Sequence, residues 1–187
     1  MYEGKGQSGQ GSGAAAAAGL DAKAWDAALR ECADAAAFCG VLAKVFRVRQ
    51  TEVALLQLEK GLLRFLFPEE LKTAGSIPVS SATAVAAHTA VTKKVELFNS
   101  FTKVKHASIF ETVKLGKAEQ PDPSDGAPIQ KLISAPILSS EGRVVGVLQV
   151  SRKGLDLNLA GADFTLDDLH NLEKAAKIAA TASFLPR

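Results

Sequence analysis

Several residue types that carry specialised chemistry are scarce in this sequence of 187 residues. It has two cysteines, one methionine, one tryptophan and one tyrosine, and 22 Lys and Arg against 20 Asp and Glu leave a net charge of only +2. Two cysteines exclude a disulfide framework, and so small a net charge excludes nucleic-acid binding driven by charge alone. No apolar run approaches the roughly 18 residues that a membrane span needs. We therefore expect a cytoplasmic protein that binds neither nucleic acid nor a membrane.

The composition supports one globular domain. Hydrophobic residues make up 47% of the chain, which is enough to fill a core, and the length suits a single domain of ordinary size. Residues 1–19 contain six of the 15 glycines and five consecutive alanines, a composition typical of flexible segments. The sequence predicts a disordered Gly/Ala-rich tail over 1–19 and one domain over 20–187.

Apolar residues at steps of three and four predict an amphipathic helix over 21–46. Four of its residues lie seven apart and form a heptad-like seam: Trp25, Cys32, Cys39 and Phe46. Such a seam can pack against a partner helix in a homodimer, or against the sheet of its own domain. Both alternatives stay open at this point.

Two hairpins are predicted further along the chain. Apolar runs on either side of Lys60-Gly61 indicate a hairpin over 53–67, with Gly61 at a positive φ in the turn. A longer hairpin spans 132–150, and the glycine within its second strand, Gly146, indicates close approach of another group.

Helical segments complete the pattern. Ser80 or Ser81 is a candidate N-cap of a short helix that reaches about Val91, a short strand follows over 94–99, and a broken helical stripe covers 101–115. Thr165, with Asp168 three residues on, predicts a capping box for a last helix that reaches about residue 184. This order predicts an α+β domain with one largely antiparallel sheet of five to six strands and the terminal helices on one face.

Three segments in the second half of the chain form a recognisable pattern: Ser134-Ala-Pro-Ile137, 144–150 (VVGVLQV), and 164–169 (FTLDDL) before an alanine-rich helix. Together they resemble the C-terminal half of a GAF domain. Earlier segments at 77–80 (IPVS) and 95–99 (VELFN) resemble the middle of that family. The resemblance covers about 36–183 and implies a regulatory, PAS-related fold with a small-molecule pocket on the sheet face opposite the terminal helices.

Three of five residues of the family's cyclic-nucleotide signature are present, namely Lys153, Phe164 and Asp168. Arg152 and Leu169 replace its asparagine and glutamate, so the signature is incomplete. The family resemblance implies an ion pair between Lys153 and Asp168, which joins the end of a strand to the last helix.

A lysine-rich stretch stands out near the implied pocket. Six lysines lie between 93 and 117, at 93, 94, 103, 105, 114 and 117, against two glutamates. They either form a solvated face or favour an anionic ligand. The candidate ligand contacts are residues that can donate hydrogen bonds or form an apolar wall: Asn99, Phe101, Thr102, His106, Phe110 and Ser134.

The residues that enzymes commonly use are sparse. His88, His106 and His170 have no companions at metal-ligand spacing, and no phosphate-binding glycine loop follows a strand. Some stand-alone members of the resembled family reduce methionine sulfoxide, and others attach a bilin, through cysteines at the pocket. Here both cysteines lie in the first predicted helix. The expectation is therefore a protein that is not an enzyme and has no cofactor or metal.

The expected function is a sensory or regulatory GAF domain. It would bind an unknown small molecule, a partner signalling protein, or both, and signal as a homodimer. Two alternatives are a ligand-free scaffold for dimerisation or docking, and a small enzyme with an active site that the sequence does not reveal.

Overall fold

One six-stranded antiparallel sheet organises the part of the chain that the computed structural model describes, residues 22–101 and 126–185. The strands are β1 (Val53–Glu59), β2 (Leu62–Phe67), β3 (Ser76–Pro78), β4 (Glu96–Phe98), β5 (Ile129–Leu138) and β6 (Val144–Lys153), in the order β3-β2-β1-β6-β5-β4. The helices are α1 (Ala22–Arg30), α2 (Ala35–Phe46), α3 (Val85–Thr92) and α4 (Leu166–Ala179). The α+β prediction and its strand number are confirmed.

The two faces of the sheet carry separate cores. Leu55 and Leu148 pack with α1, α2 and α4 on one face, which we call the helix face. Leu56 and Val147, their neighbours in sequence, pack with α3 on the other face, which we call the α3 face. Successive strand residues point to opposite faces, so each central strand contributes to both cores.

The two predicted hairpins are confirmed. Lys60 and Gly61 both have positive φ, 50° and 78°, between β1 and β2, as a tight hairpin turn requires. Strands β5 and β6 pair from Ile129 with Lys153 to Leu138 with Val144. This long ladder forms the centre of the domain.

The close approach predicted at Gly146 is also confirmed. A Cβ atom built there would overlap the carbonyl oxygen of Leu56 on the neighbouring strand. No L-amino acid with a side chain fits at this position unless β1 and β6 separate.

The prediction of one long first helix is wrong, because the helix is interrupted and a second helix starts after Asp34. Helix α1 ends at Arg30, and the Asp34 side chain accepts a hydrogen bond from the N–H of Ala37 at 2.7 Å, which starts α2 as an N-cap. Asp in a helix interior gives no such stabilisation, whereas at an N-cap it contributes about 1 kcal/mol. Two shorter helices therefore replace the predicted one.

The break also disrupts the heptad-like seam. Trp25, Cys39 and Phe46 are at most 3% exposed within the core of their own chain, and Cys32 is partly buried. This is the intramolecular alternative: the seam packs on the helix face. A homodimer through other residues of these helices stays a prediction.

Other element boundaries shift. Neither Ser80 nor Ser81 caps α3; its N-cap is Ala84, because the Ser81 N–H bonds to Pro78 in a preceding turn. The last helix has its predicted capping box but ends at Ala179. The predicted tail over 1–19 and the stripe over 101–115, except Phe101, lie outside the described residues.

Arg152 joins the helix face to the sheet. Its guanidinium donates to the carbonyl of Phe46 at the end of α2 (3.1 Å) and lies 4.7 Å from the centre of the Phe164 ring, just before α4. Burial lowers the pKa of Arg152, while Asp168 and Glu52 act in the opposite direction. One side chain of β6 thus contacts the end of one helix and the approach to another.

Glu52 completes this junction from the other side. Its buried carboxylate accepts from the backbone N–H of Lys153 at 2.7 Å and of Arg49 at 2.8 Å, and from the Arg49 guanidinium at 2.9 Å. A buried carboxylate requires such donors.

Within the described residues, no helix is both long and apolar enough to cross a bilayer.

We predict that Gly146→Ala destabilises the protein by about 3 kcal/mol, the upper part of the range for an overpacked site. Gly126→Ala is the control, since its Cβ would have no described atom within 4 Å. Urea unfolding measures both variants. Equal stabilities would contradict the close approach.

We predict that Arg152→Lys destabilises the protein by about 1–3 kcal/mol, since an ammonium cannot both stack on Phe164 and reach the carbonyl of Phe46. The matched control is Arg143→Lys, because the exposed guanidinium of Arg143 forms an ion pair with the exposed Glu141 at the surface. Thermal unfolding compares the two. If both variants unfold like the wild type, Arg152 does not hold the junction.

Candidate functional site

Buried polar side chains interrupt the core of the α3 face. On β6 the alternating residues Gln149, Ser151 and Lys153 continue the row that begins at Val147, and all three are at most 5% exposed. On the neighbouring strand, Ser134 is fully buried opposite Gln149. On the helix face, the neighbouring strand residues Ala135, Leu148 and Val150 are apolar, and polar side chains enter only toward the end of β6, at Arg152 and its pairing partner Lys131.

Part of this row belongs to a continuous chain of hydrogen bonds. Gln149 Nε2 donates to Ser134 Oγ at 3.1 Å, Ser134 Oγ lies 2.8 Å from Thr89 Oγ1, and Thr89 Oγ1 donates to Glu96 Oε2 at 2.6 Å. His88 Nδ1 lies 2.7 Å from the other oxygen of Glu96. We call these five residues the hydroxyl relay.

The relay has a single direction. A hydroxyl has one hydrogen, and that of Thr89 goes to Glu96, so Ser134 donates to Thr89 and accepts from Gln149. A carboxylate only accepts, so Nδ1 of His88 carries the proton in its contact with Glu96. All the donors therefore point toward one carboxylate.

The relay connects solvent to the centre of the sheet. The His88 side chain is 51% exposed and that of Glu96 is 15% exposed, whereas Thr89 and Ser134 are fully buried. Helix α3, strand β4 and the central strands β5 and β6 each contribute at least one member. Of the five relay residues, only Ser134 is among the ligand contacts predicted from the sequence.

The other predicted ligand contacts either bind within the protein itself or lie outside the described residues. Asn99 forms two bonds with the backbone of Phe164, accepting from its N–H at 2.9 Å and donating to its carbonyl at 3.0 Å. Phe101 is 2% exposed and packs edge-on against Phe98, with ring centres 6.1 Å apart. Three more predicted contacts lie outside the described residues: Thr102, His106 and Phe110.

Asp168 serves the N-terminus of α4. Its Oδ2 accepts from the N–H of Thr165 at 2.8 Å and from the Thr165 hydroxyl at 3.0 Å. Burial lowers the pKa of Arg152, and the charge of Asp168 opposes that shift. The ion pair between Lys153 and Asp168 stays a prediction.

Both thiols lie on the helix face, away from the relay. Burial is the main cause that raises the pKa of Cys39 and of Cys32, and Cys32 Sγ–H donates to the Ala28 carbonyl at 3.2 Å. A thiol, unlike a thiolate, is a poor nucleophile. Within residues 22–101 and 126–185, no three His, Cys, Asp or Glu side chains converge as metal ligands.

Comparison with known proteins identifies the fold by structure alone. No family model matches the sequence, and no curated protein is similar enough to be counted as a relative. Among solved structures, the GAF domain of a phosphoenolpyruvate-protein phosphotransferase from Coxiella burnetii superposes with a TM-score of 0.57 at 9% identity, covering 84% of this chain and 87% of that one.

Two further solved structures have other roles. Residues 122 to 287 of a methyl-accepting chemotaxis protein match with a TM-score of 0.53 at 14% identity, over 84% of this chain and 93% of that one. A free methionine-R-sulfoxide reductase from Neisseria meningitidis matches with a TM-score of 0.55 at 17% identity, over 84% and 83%.

The reductase corrects one prediction. The sequence was interpreted as that of a protein that is not an enzyme, and this is wrong, because the same fold carries catalysis in free methionine-R-sulfoxide reductases. The fold is therefore compatible with enzymatic activity.

The strand order, the terminal helices on one face and the solved structures lead to the same result. The chain has the fold of a GAF domain.

Proposed function

We propose that this protein is a sensory or regulatory domain that binds a small molecule over the α3 face and passes the binding event on through the hydroxyl relay. The relay is the observation that carries the proposal. A helix packed on a sheet for stability alone needs apolar side chains, and a buried polar group costs about 1–3 kcal/mol when its partner is lost. Polar residues at four buried or half-buried positions therefore point to a role beyond packing.

The relay couples α3 to the middle of the sheet. A ligand that displaces α3 must break the bond between Thr89 and Ser134 or move β5 with it. Ser134 is next to Ile133, which packs in the core of the helix face. A change at the α3 face thus reaches the helices on the opposite face through one strand.

The helices of the opposite face are the proposed output, through a partner signalling protein or a second copy of the chain. The solved structures that share the fold include a methyl-accepting chemotaxis protein, which supports a signalling role. In this proposal the ligand contacts are Thr102, His106 and Phe110, and the lysines at 103, 105, 114 and 117 favour an anion.

A ligand-free scaffold is the second candidate. It is favoured by the internal contacts of three predicted ligand residues: Asn99 binds the backbone of Phe164, Phe101 packs on Phe98, and Ser134 binds Thr89 and Gln149. A core that satisfies its own polar groups has no need of a ligand.

Native mass spectrometry of protein purified from its own host distinguishes the two candidates. We expect a retained small molecule, and a rise in melting temperature when anionic metabolites or nucleotides are added to the ligand-free protein. A protein that carries no small molecule, and whose melting temperature none of the added compounds changes, would support the scaffold instead.

We predict that Thr89→Val destabilises the protein by about 1–3 kcal/mol, because it keeps the shape but removes the hydroxyl that donates to Glu96 Oε2 and accepts the hydrogen of Ser134. Thr89→Ser keeps the hydroxyl and is the matched control. Urea unfolding of Thr89→Val, Ser134→Ala and the double variant forms a cycle. Additive losses would show that the two hydroxyls act independently and that no relay exists.

A further inference from the structure

A cleft of about 610 Å³ opens where α4, the turn between β5 and β6, and the segment between α3 and β4 meet. Its lining has three lysines, one glutamate, one serine and three apolar residues, namely Lys93, Lys94, Lys177, Glu173, Ser139, Val95, Pro136 and Leu138. None of these belongs to the hydroxyl relay.

The lining is strongly cationic for this chain. Three lysines against Glu173 leave +2 in one cleft, which equals the net charge of the whole protein. Among the described residues, neither Lys94 nor Lys177 has an ion-pair partner within 4 Å. Low-dielectric walls around charges of one sign concentrate oppositely charged ligands.

The walls of the cleft are fixed by hydrogen bonds. Lys93 Nζ donates to the carbonyl of Gly142 at 2.9 Å, which ties the segment after α3 to the turn between β5 and β6. Within that turn, Ser139 accepts from the N–H of Gly142 at 2.9 Å and donates its own N–H to Arg143 at 2.8 Å. A site whose walls are already ordered loses less entropy on binding.

The apolar residues of the lining indicate that a ligand would also have an apolar part. Val95, Pro136 and Leu138 supply apolar surface beside the lysines, and Leu138 is 36% exposed. The cleft volume is in the range of small-molecule sites, which combine apolar walls with a few placed polar groups. A phosphate or carboxylate can contact the lysines while an apolar body covers Leu138.

We propose that this cleft binds a small organic anion, a phosphate or polycarboxylate with an apolar body. Lys93, which the sequence placed near the pocket, and Lys94 serve this site together with Lys177 from the last helix. The site is independent of the ligand proposed for the α3 face.

Isothermal titration with phenyl phosphate, citrate and methyl phosphate tests the site. We expect phenyl phosphate to bind more tightly than methyl phosphate, a monoester of the same charge, because its ring covers the apolar part of the lining, and all affinities to fall as salt is added. Failure of all three probes to bind up to millimolar concentration would overturn the proposal.

Variants locate the binding. Lys94→Ala and Lys177→Ala should each weaken phenyl phosphate binding about threefold, and Glu173→Gln should strengthen it. Lys44→Ala removes the same charge from an exposed position at the end of α2 and should change nothing. If Lys44→Ala weakens binding as much as Lys177→Ala, binding reflects overall charge and the cleft is not the site.

Discussion

The attachment of the helices to the sheet depends on two opposite charges at one corner of the domain, the half-buried Arg152 and the buried Glu52. Arg152 binds the end of α2 and stacks on the residue that leads into α4, while Glu52 holds the backbone of the adjacent Lys153. Neither charge is tolerable in an apolar core without these partners. The pair therefore selects one placement of the helices among the many that apolar contacts alone would permit.

The two faces of the sheet differ in their packing, as do the roles that we propose for them. In our proposal the helix face, which is fastened at Arg152 and filled largely by apolar side chains, is displaced as one layer. The α3 face carries polar side chains whose bonds can be exchanged. A rigid layer opposite an adaptable one is a suitable arrangement for a domain that turns binding on one side into displacement on the other.

Local signals made much of the fold predictable from sequence. The hairpin turn at Gly61 and the capping box of Thr165 and Asp168 are each encoded by residues a few positions apart, and both form as expected. The break at Asp34 was missed because the apolar period continues through it, and periodicity outweighs a single capping residue in such an interpretation. The late start of α3 depends on a turn that its own sequence does not specify.

The proposed functional face was harder to predict. Three members of the relay, Glu96, Ser134 and Gln149, come together only through the pairing of β4, β5 and β6. A usable signal was present, since Ser134 and Gln149 are polar residues within strands predicted to be buried. Their partners on α3 could not be identified without the packing of that helix across the sheet.

The single direction of the relay makes one carboxylate decisive for all of its hydrogens. The Thr89 hydrogen is committed to Glu96, so that of Ser134 is committed to Thr89, and the Gln149 amide must present its NH₂ group to Ser134. An acceptor on the edge strand β4 thus fixes the hydrogen-bond polarity of a side chain on the central strand β6, two strands away.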